Sequence, residues 1–571
     1  MKQILCLFFA ITLLLGSPRA HADDYPVNKN IDIKHYAFEL NLSDSNDEIR
    51  GIAFITIDFK QVGLRNFRLD FVNQKAEKEN KGMAIDAIMV GDQAIQYTHQ
   101  NDEIILNLPS PSTKNQTLIF TIKYHGVPVD GLRIGKTKLG DRSFFNENWP
   151  NRARHWLPTF DHPSDKATSE FMIKAPSHYK VISNGLLLEE SELGNSMKLT
   201  HWKQSVPSSC WLFVIGVAEF AVQYLDPFMG KSIETWVYAK NRELGFYDFQ
   251  EPTKKVLEFY SQYVGPFAYE KLANIQTPSV NGGMESSSAI FYGEELVTGK
   301  RSERTRNVVI HEIAHQWFGN SVTETTWDDA WLSEGFATFF TLLFIEHEYG
   351  KEEYTKGIEK AKKTVLELSA KMPDFSIVSP RTAEKELVIT GITYQKGAWV
   401  LHMLRNLMGE THFKKGIQSY YAKFYTSSAT TDDFRIEMEK ASGLDLNIFF
   451  KQWLFQPVIP KIQANWTYDA KTKKLKVNLE QIQKGDFIFN MPVEVAYYKK
   501  GSKTPTLLKM HLGKKQKTQT FMLKEAPERF EVDPRNVLLC EPTIVSRDAI
   551  LRVFSQFPVE TRYFASFPNF L

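Results

Sequence analysis

The stretch from residue 311 to 334 holds the residue types and spacing that could do chemistry: His311-Glu312-Ile313-Ala314-His315, eighteen further residues, then Glu334. His311 and His315 are four apart, so on a helix they leave one face a turn apart, and Glu312 points to the side where a water would meet a metal. The pattern reads as a zinc site with His311, His315 and Glu334 as ligands. Three protein ligands of nitrogen and oxygen type leave a tetrahedral position for water, the arrangement of a catalytic rather than a closed structural zinc.

The flanking residues form elements able to present these side chains. Val308, Val309, Ile313, Trp317 and Phe318 make an apolar helical stripe over 307–318, and Gly319-Asn320 supplies a stop signal. A second helix, capped by Asp328 or Asp329, runs through Trp331, Leu332, Phe336, Phe339, Phe340 and Leu343 and carries Glu334 near its start.

The body behind these helices is a chain of 571 residues, 43% hydrophobic and 24% charged, enough for several globular domains. The formal net charge of +2 points to no partner, and nucleic acid is not expected as one. Lys2, the apolar run from Ile4 to Leu15 broken only by Thr12, and Ala20-His21-Ala22 ahead of Asp23 read as a secretory signal peptide over 1–22. The run is too short to span a bilayer unaided. The expectation is an exported protein, periplasmic or secreted, with no stable membrane insertion after cleavage. Cys210 and Cys540 remain in the mature chain, too few for a disulfide framework.

Residues 23–225 consist of short alternating runs such as Ile31, Ile33, Phe38, Leu40 and Leu42, separated by turn residues, and are read as β. Residues 226–456 turn to long helical periods, over 252–263, 305–318, 329–349, 354–372, 397–408 and 432–442. Strands return over 457–541, and 542–571 is left as a C-terminal tail. The fold class is multidomain α+β.

With these residues set out, the chain resembles the M1-family zinc aminopeptidases, the gluzincins that include aminopeptidase N and leukotriene A4 hydrolase. The resemblance covers His35-Tyr36 with Gly51, and residues 150–161, 264–272, 282–285, 309–337, 394–398, 429–434 and 452–457. It implies an N-terminal β saddle, a thermolysin-like, mainly helical catalytic domain and a C-terminal β sandwich, in agreement with the strand, helix, strand reading. It also implies one zinc ion (Zn2+) per chain and hydrolysis of the N-terminal residue from peptides that have a free amino terminus.

Carried over residue by residue, His311, His315 and Glu334 match the family's metal ligands. Glu312 matches the general base acting on the zinc-bound water, and Tyr394 the tyrosine that stabilises the oxyanion. Gly282-Gly283-Met284-Glu285 matches the exopeptidase signature, in which glycines admit the substrate backbone and the carboxylate pairs with the α-ammonium group. Ser286 stands where the family usually has asparagine. Glu147 falls where many members have a glutamine that touches substrate, and an unpaired carboxylate there would favour a basic first residue. Gly282 to Glu285 disfavours an endopeptidase. An epoxide hydrolase activity, as in one branch of the family, is not distinguished by the ligands alone. A non-catalytic scaffold would have no need of the complete set of ligands, base and tyrosine.

Overall fold

The computed structural model describes residues 27–378 and 389–545. The signal segment and nearly all of the C-terminal tail lie outside the described residues. Among the described residues no helix is long and apolar enough to cross a membrane.

The first part is built on an eight-stranded sheet whose centre is the antiparallel pair Ile31–Asn41 and Ile49–Phe59. The alternation read from the sequence changes parity between Ile33 and Phe38. A β-bulge between Ile33 and His35 accounts for it, since one extra residue lets Tyr36, Phe38 and Leu40 face the core as Ile31 and Ile33 do. A four-stranded sheet that includes Leu132–Lys136 and Arg142–Asn146 leads into the loop that carries Glu147.

Among the described residues the middle part combines a five-stranded sheet with eight α-helices. The sheet order is Phe220–Phe228, Lys231–Tyr238, Lys271–Thr277, Ala289–Gly293 and, at the edge, Gly283–Met284. The helices are α1 Arg242–Tyr263, α2 Glu303–His315, α3 Trp331–Tyr349, α4 Lys351–Lys371, α5 Gly391–Met408, α6 Glu410–Lys423, α7 Thr431–Ser442 and α8 Asn447–Leu454. Helix α3 is apolar on nearly every side because it packs against α2, α4 and α5. Just past the end of α2, Phe318 lies 4.9 Å from Phe336 and 4.6 Å from Phe340 of α3. Such ring pairs add about 0.5–1.5 kcal/mol each beyond burial and hold the two histidine and glutamate helices together.

The last part is two sheets of four and three strands that share one core, with Leu475, Val477 and Leu479 on one and Val493, Val495 and Leu512 on the other. Two strands cross the expected segment limits. Phe220–Phe228 spans 225/226 because it pairs with Lys231–Tyr238, and Glu541–Ile544 spans 541/542 as a parallel partner of Lys461–Asp469. Cys210 and Cys540 are both free and buried.

Candidate active site

Helix α2 starts with Ser302 as its cap, the side-chain oxygen accepting from the Thr305 N–H at 3.1 Å, a contact of about 1 kcal/mol. The helix stops at His315, three residues short of the apolar stripe, and the chain reverses through Gly319 at φ +108°. A Cβ there would lie 2.3 Å from Ser333 Oγ and 3.2 Å from His315 Nδ1, so the glycine leaves room for the histidine's own support. Helix α3 starts at Trp331 without a side-chain cap. Asp329, expected as a cap, instead accepts the Thr431 hydroxyl at 2.6 Å and ties α3 to α7. Glu334 falls in the first turn of α3.

These starts and stops bring His311, His315 and Glu334 into one cluster. His311 Nε2 and His315 Nε2 are 3.1 Å apart, and each is 3.3 Å from Glu334 Oε2. His315 Nδ1 faces the Phe318 carbonyl at 3.1 Å and Ser333 Oγ at 3.0 Å. A proton on Nδ1 therefore donates to Phe318 and leaves Nε2 as a lone pair aimed at the cluster. Two imidazole nitrogens and a carboxylate oxygen at such distances repel unless positive charge lies between them. The donor set fits a divalent cation of borderline softness.

The carboxylates around the cluster favour positive charge at its centre, carried either by a proton on His315 or by a metal ion. Burial disfavours the His315 cation, yet the carboxylates of Glu285, Glu334 and Glu312 raise its pKa to about 10. Burial likewise opposes ionisation of Glu334, but His315 and His311 hold its carboxyl well below the usual range. Burial lowers His311 and raises both Glu312 and Glu285. Buried acids thus outnumber the local cations, a balance that a bound cation would correct.

Tyr394 sits in the first turn of α5, whose start is fixed by a capping box between Thr390 and Thr393. Its hydroxyl donates to Glu334 Oε1 at 2.8 Å, and its ring stacks 5.9 Å from that of His311. Glycine sets this approach. A Cβ on Gly397 would stand 2.7 Å from Gly335 Cα, and one on Gly335 2.8 Å from Gly397 Cα, so α3 and α5 touch backbone to backbone beside Glu334 and Tyr394.

Gly283 and Met284 form the edge strand, with Glu285 following. Close approach at Gly283 is made by the protein itself, since a Cβ there would fall 2.3 Å from Glu312 Oε1. Gly282 turns at φ +88° with open space around it. The Glu285 carbonyl accepts from Gln316 Nε2 at 2.8 Å and from Asn320 Nδ2 at 2.6 Å. Lys166, from the first part of the chain, donates to the Asn320 and Ser321 carbonyls, each at 2.8 Å. Sequence reasoning missed Gln316, Asn320 and Lys166. Gln316 follows the second histidine directly and Asn320 closes the turn after it, and that closeness in sequence is the signal available. Ser286 is buried, its carbonyl accepting the Ala289 N–H at 3.2 Å.

The cluster opens into a cavity of about 1120 Å³ lined by Glu147, Trp149, Arg152, Met284, Glu285, Glu312 and Tyr394 among others. Asn146 and Asn148 turn inward to the Phe213 carbonyl, so Glu147 is the member of this trio on the cavity wall. The carboxylate is not unpaired, as the basic preference required. It accepts the Trp149 N–H at 2.8 Å and is ion-paired with Arg152, because the loop after Glu147 folds back on itself.

Comparison with known proteins agrees with this geometry. Residues 33–212 match the Peptidase M1 N-terminal domain and residues 248–453 the Peptidase family M1 domain. The glutamyl aminopeptidase of Rattus norvegicus is 27% identical over 460 residues, covering 77% of this chain and 49% of the rat protein. That of Homo sapiens is 31% identical over 383 residues, 64% of this chain and 40% of the human protein. The chain thus spans about half the length, or less, of these curated relatives. The fold is that of a solved M1 zinc metallopeptidase variant from Deinococcus radiodurans bound to a Tyr-Ser-Ala substrate. That match has a TM-score of 0.65 and 23% identity, and covers 76% of this chain and 96% of that one. With both domains of one family matched in order across most of the described residues, the chain belongs to the M1 peptidases.

Proposed function

We propose that this protein is a zinc-dependent aminopeptidase, with His311, His315 and Glu334 holding one Zn2+ per chain. The observation that carries the reading is the joint placement of the three-ligand cluster, Glu312 and Glu285 along one cavity. When bound, zinc supplies Lewis-acid polarisation of the scissile carbonyl and a lowered pKa for water.

The chain's own residues divide the remaining work. Glu285, its backbone fixed by Gln316 and Asn320, receives the free α-ammonium of the peptide and so sets cleavage after the first residue. Glu312, buried against Gly283, takes the proton of the attacking water and returns it to the departing amine. Tyr394 turns its hydroxyl from Glu334 to donate to the oxygen that gains negative charge. Edge strand Gly283–Met284 and the cavity walls orient the substrate.

The test is hydrolysis of aminoacyl amides against their N-acetylated counterparts. The reading expects release from free amines only. Equal rates on blocked and free substrates would replace it with endopeptidase activity. The proposal includes export, on the strength of residues 1–22. Cell fractionation that finds the intact precursor in the cytoplasm would contradict that part.

A further inference from the structure

We infer that Arg152 sets the charge preference of the first-residue site, by cancelling the carboxylate of Glu147 on the cavity wall. The inference rests on the aminopeptidase reading above, and concerns which first side chains the same site accepts.

Glu147 and Arg152 line the cavity together with the apolar side chains of Trp149, Val280 and Met284. The Glu147 side chain is only 15% exposed and that of Arg152 32%. The guanidinium is fixed at three points. Its Nε donates to the Trp149 carbonyl at 2.7 Å, one terminal nitrogen meets Asp130 at 3.4 Å, and the other pairs with Glu147. The Asp130 carboxylate is further engaged by the Gly131 N–H at 2.8 Å. Glu147 is held in turn by the Trp149 N–H. The pair is therefore a built feature of the 147–152 loop, with both ends tied to backbone.

As built, the Glu147–Arg152 pair shows a substrate side chain no unpaired carboxylate or guanidinium, and the apolar residues beside it favour an uncharged first side chain. Each half of the pair masks the other. Without Arg152, a mostly buried carboxylate has lost its cation and gains by pairing with a lysyl or arginyl first residue. Without Glu147, the guanidinium keeps as carboxylate partner only the longer contact to the exposed Asp130 and gains by pairing with a glutamyl or aspartyl first residue.

The test uses the zinc-loaded enzyme and leucyl, arginyl and glutamyl amides, reading kcat/KM ratios to leucine. Arg152→Ala should raise the arginine-to-leucine ratio on the order of 10-fold, and Glu147→Ala the glutamate-to-leucine ratio by a similar factor. The double variant should return both ratios to near those of the parent. Arg152→Met keeps the stem packing and should reproduce the effect if the alanine variant fails to fold. The same ratios are read without turnover from the Kd of leucine, arginine and glutamate hydroxamates by calorimetry. A parent that binds hydroxamates but cleaves no amide overturns the proposed function while the Kd ratios still test the charge pair. Ratios that stay within about twofold in both single variants overturn the inference, as does a double variant that keeps either single-variant shift.

Discussion

Replacing Gly397 by alanine should damage catalysis without touching a catalytic side chain. The added methyl would stand 2.7 Å from Gly335 Cα. Carbon atoms pack at about 3.5–4.0 Å, so α3 and α5 must separate by about 1 Å. The Tyr394–Glu334 hydrogen bond, 2.8 Å long, spans that interface and would open to about 3.8 Å, beyond bonding range. Overpacking costs about 1–3 kcal/mol, and the better helix propensity of alanine recovers about 1, leaving a net loss of about 0–2 kcal/mol. A misplacement of about 1 Å in a reacting constellation is worth on the order of 10²-fold in rate. The assay is kcat and KM on leucyl amide, with zinc content and thermal unfolding measured on the same preparation. Zinc content should hold, because all three ligands lie on α2 and α3. In a Tyr394→Phe background the second change should alter kcat by less than about threefold, since the group it displaces is already gone. A Gly397→Ala enzyme with lowered stability and unchanged kcat would refute the claim that this helix contact sets the position of Tyr394.

Four further outcomes are expected. Glu312→Gln should lose about 10²- to 10⁴-fold in turnover while zinc binding survives, and a variant of full activity would remove Glu312 as the base. Glu285→Ala should weaken binding of free-amine substrates while rates on N-acetylated ones stay near background, as read from kcat/KM on both. Asn320→Ala removes one of the two side-chain donors to the Glu285 carbonyl, and should raise KM more than it lowers kcat, whereas equal effects on both substrate types would mean a merely structural role. The contribution of two buried lysines to stability should rise from pH 7 to pH 9. Burial lowers Lys166 and Lys396 to about 7, so at these two sites the unfolded chain binds more protons than the folded one across that window, and ionised lysine no longer has to be buried as pH rises. Lys396→Met should reduce that gain by up to about 2.7 kcal/mol, at about 1.36 kcal/mol per pH unit, in urea unfolding at the two pH values.

The parts legible in the sequence were those fixed by local period. The four-residue histidine spacing needs only a helix, and the apolar stripe of 307–318 supplies one. The strand, helix, strand order follows from alternation giving way to helical period and back. Features made by contacts distant in sequence were not legible. The Gly335–Gly397 crossing joins two helices through backbone, and no side-chain pattern marks it. Helices α6 and α8 carry narrow apolar faces on short segments, and period alone separates such segments poorly from loops. Asp329 looked like a cap because a carboxylate before an apolar run usually is one, but Thr431, a hundred residues on, outcompetes the backbone for it. The Glu147–Arg152 pair lies within one irregular loop, where spacing carries no directional information, so no partner for the carboxylate is visible in the sequence.

The most direct test of the central claim is a zinc titration of metal-stripped protein, following bound zinc and leucyl-amide hydrolysis in parallel. Both should saturate together at one zinc per chain and vanish together in His315→Ala. Hydrolysis at full rate without zinc, or a saturated zinc site with no hydrolysis of any aminoacyl amide, would contradict the account.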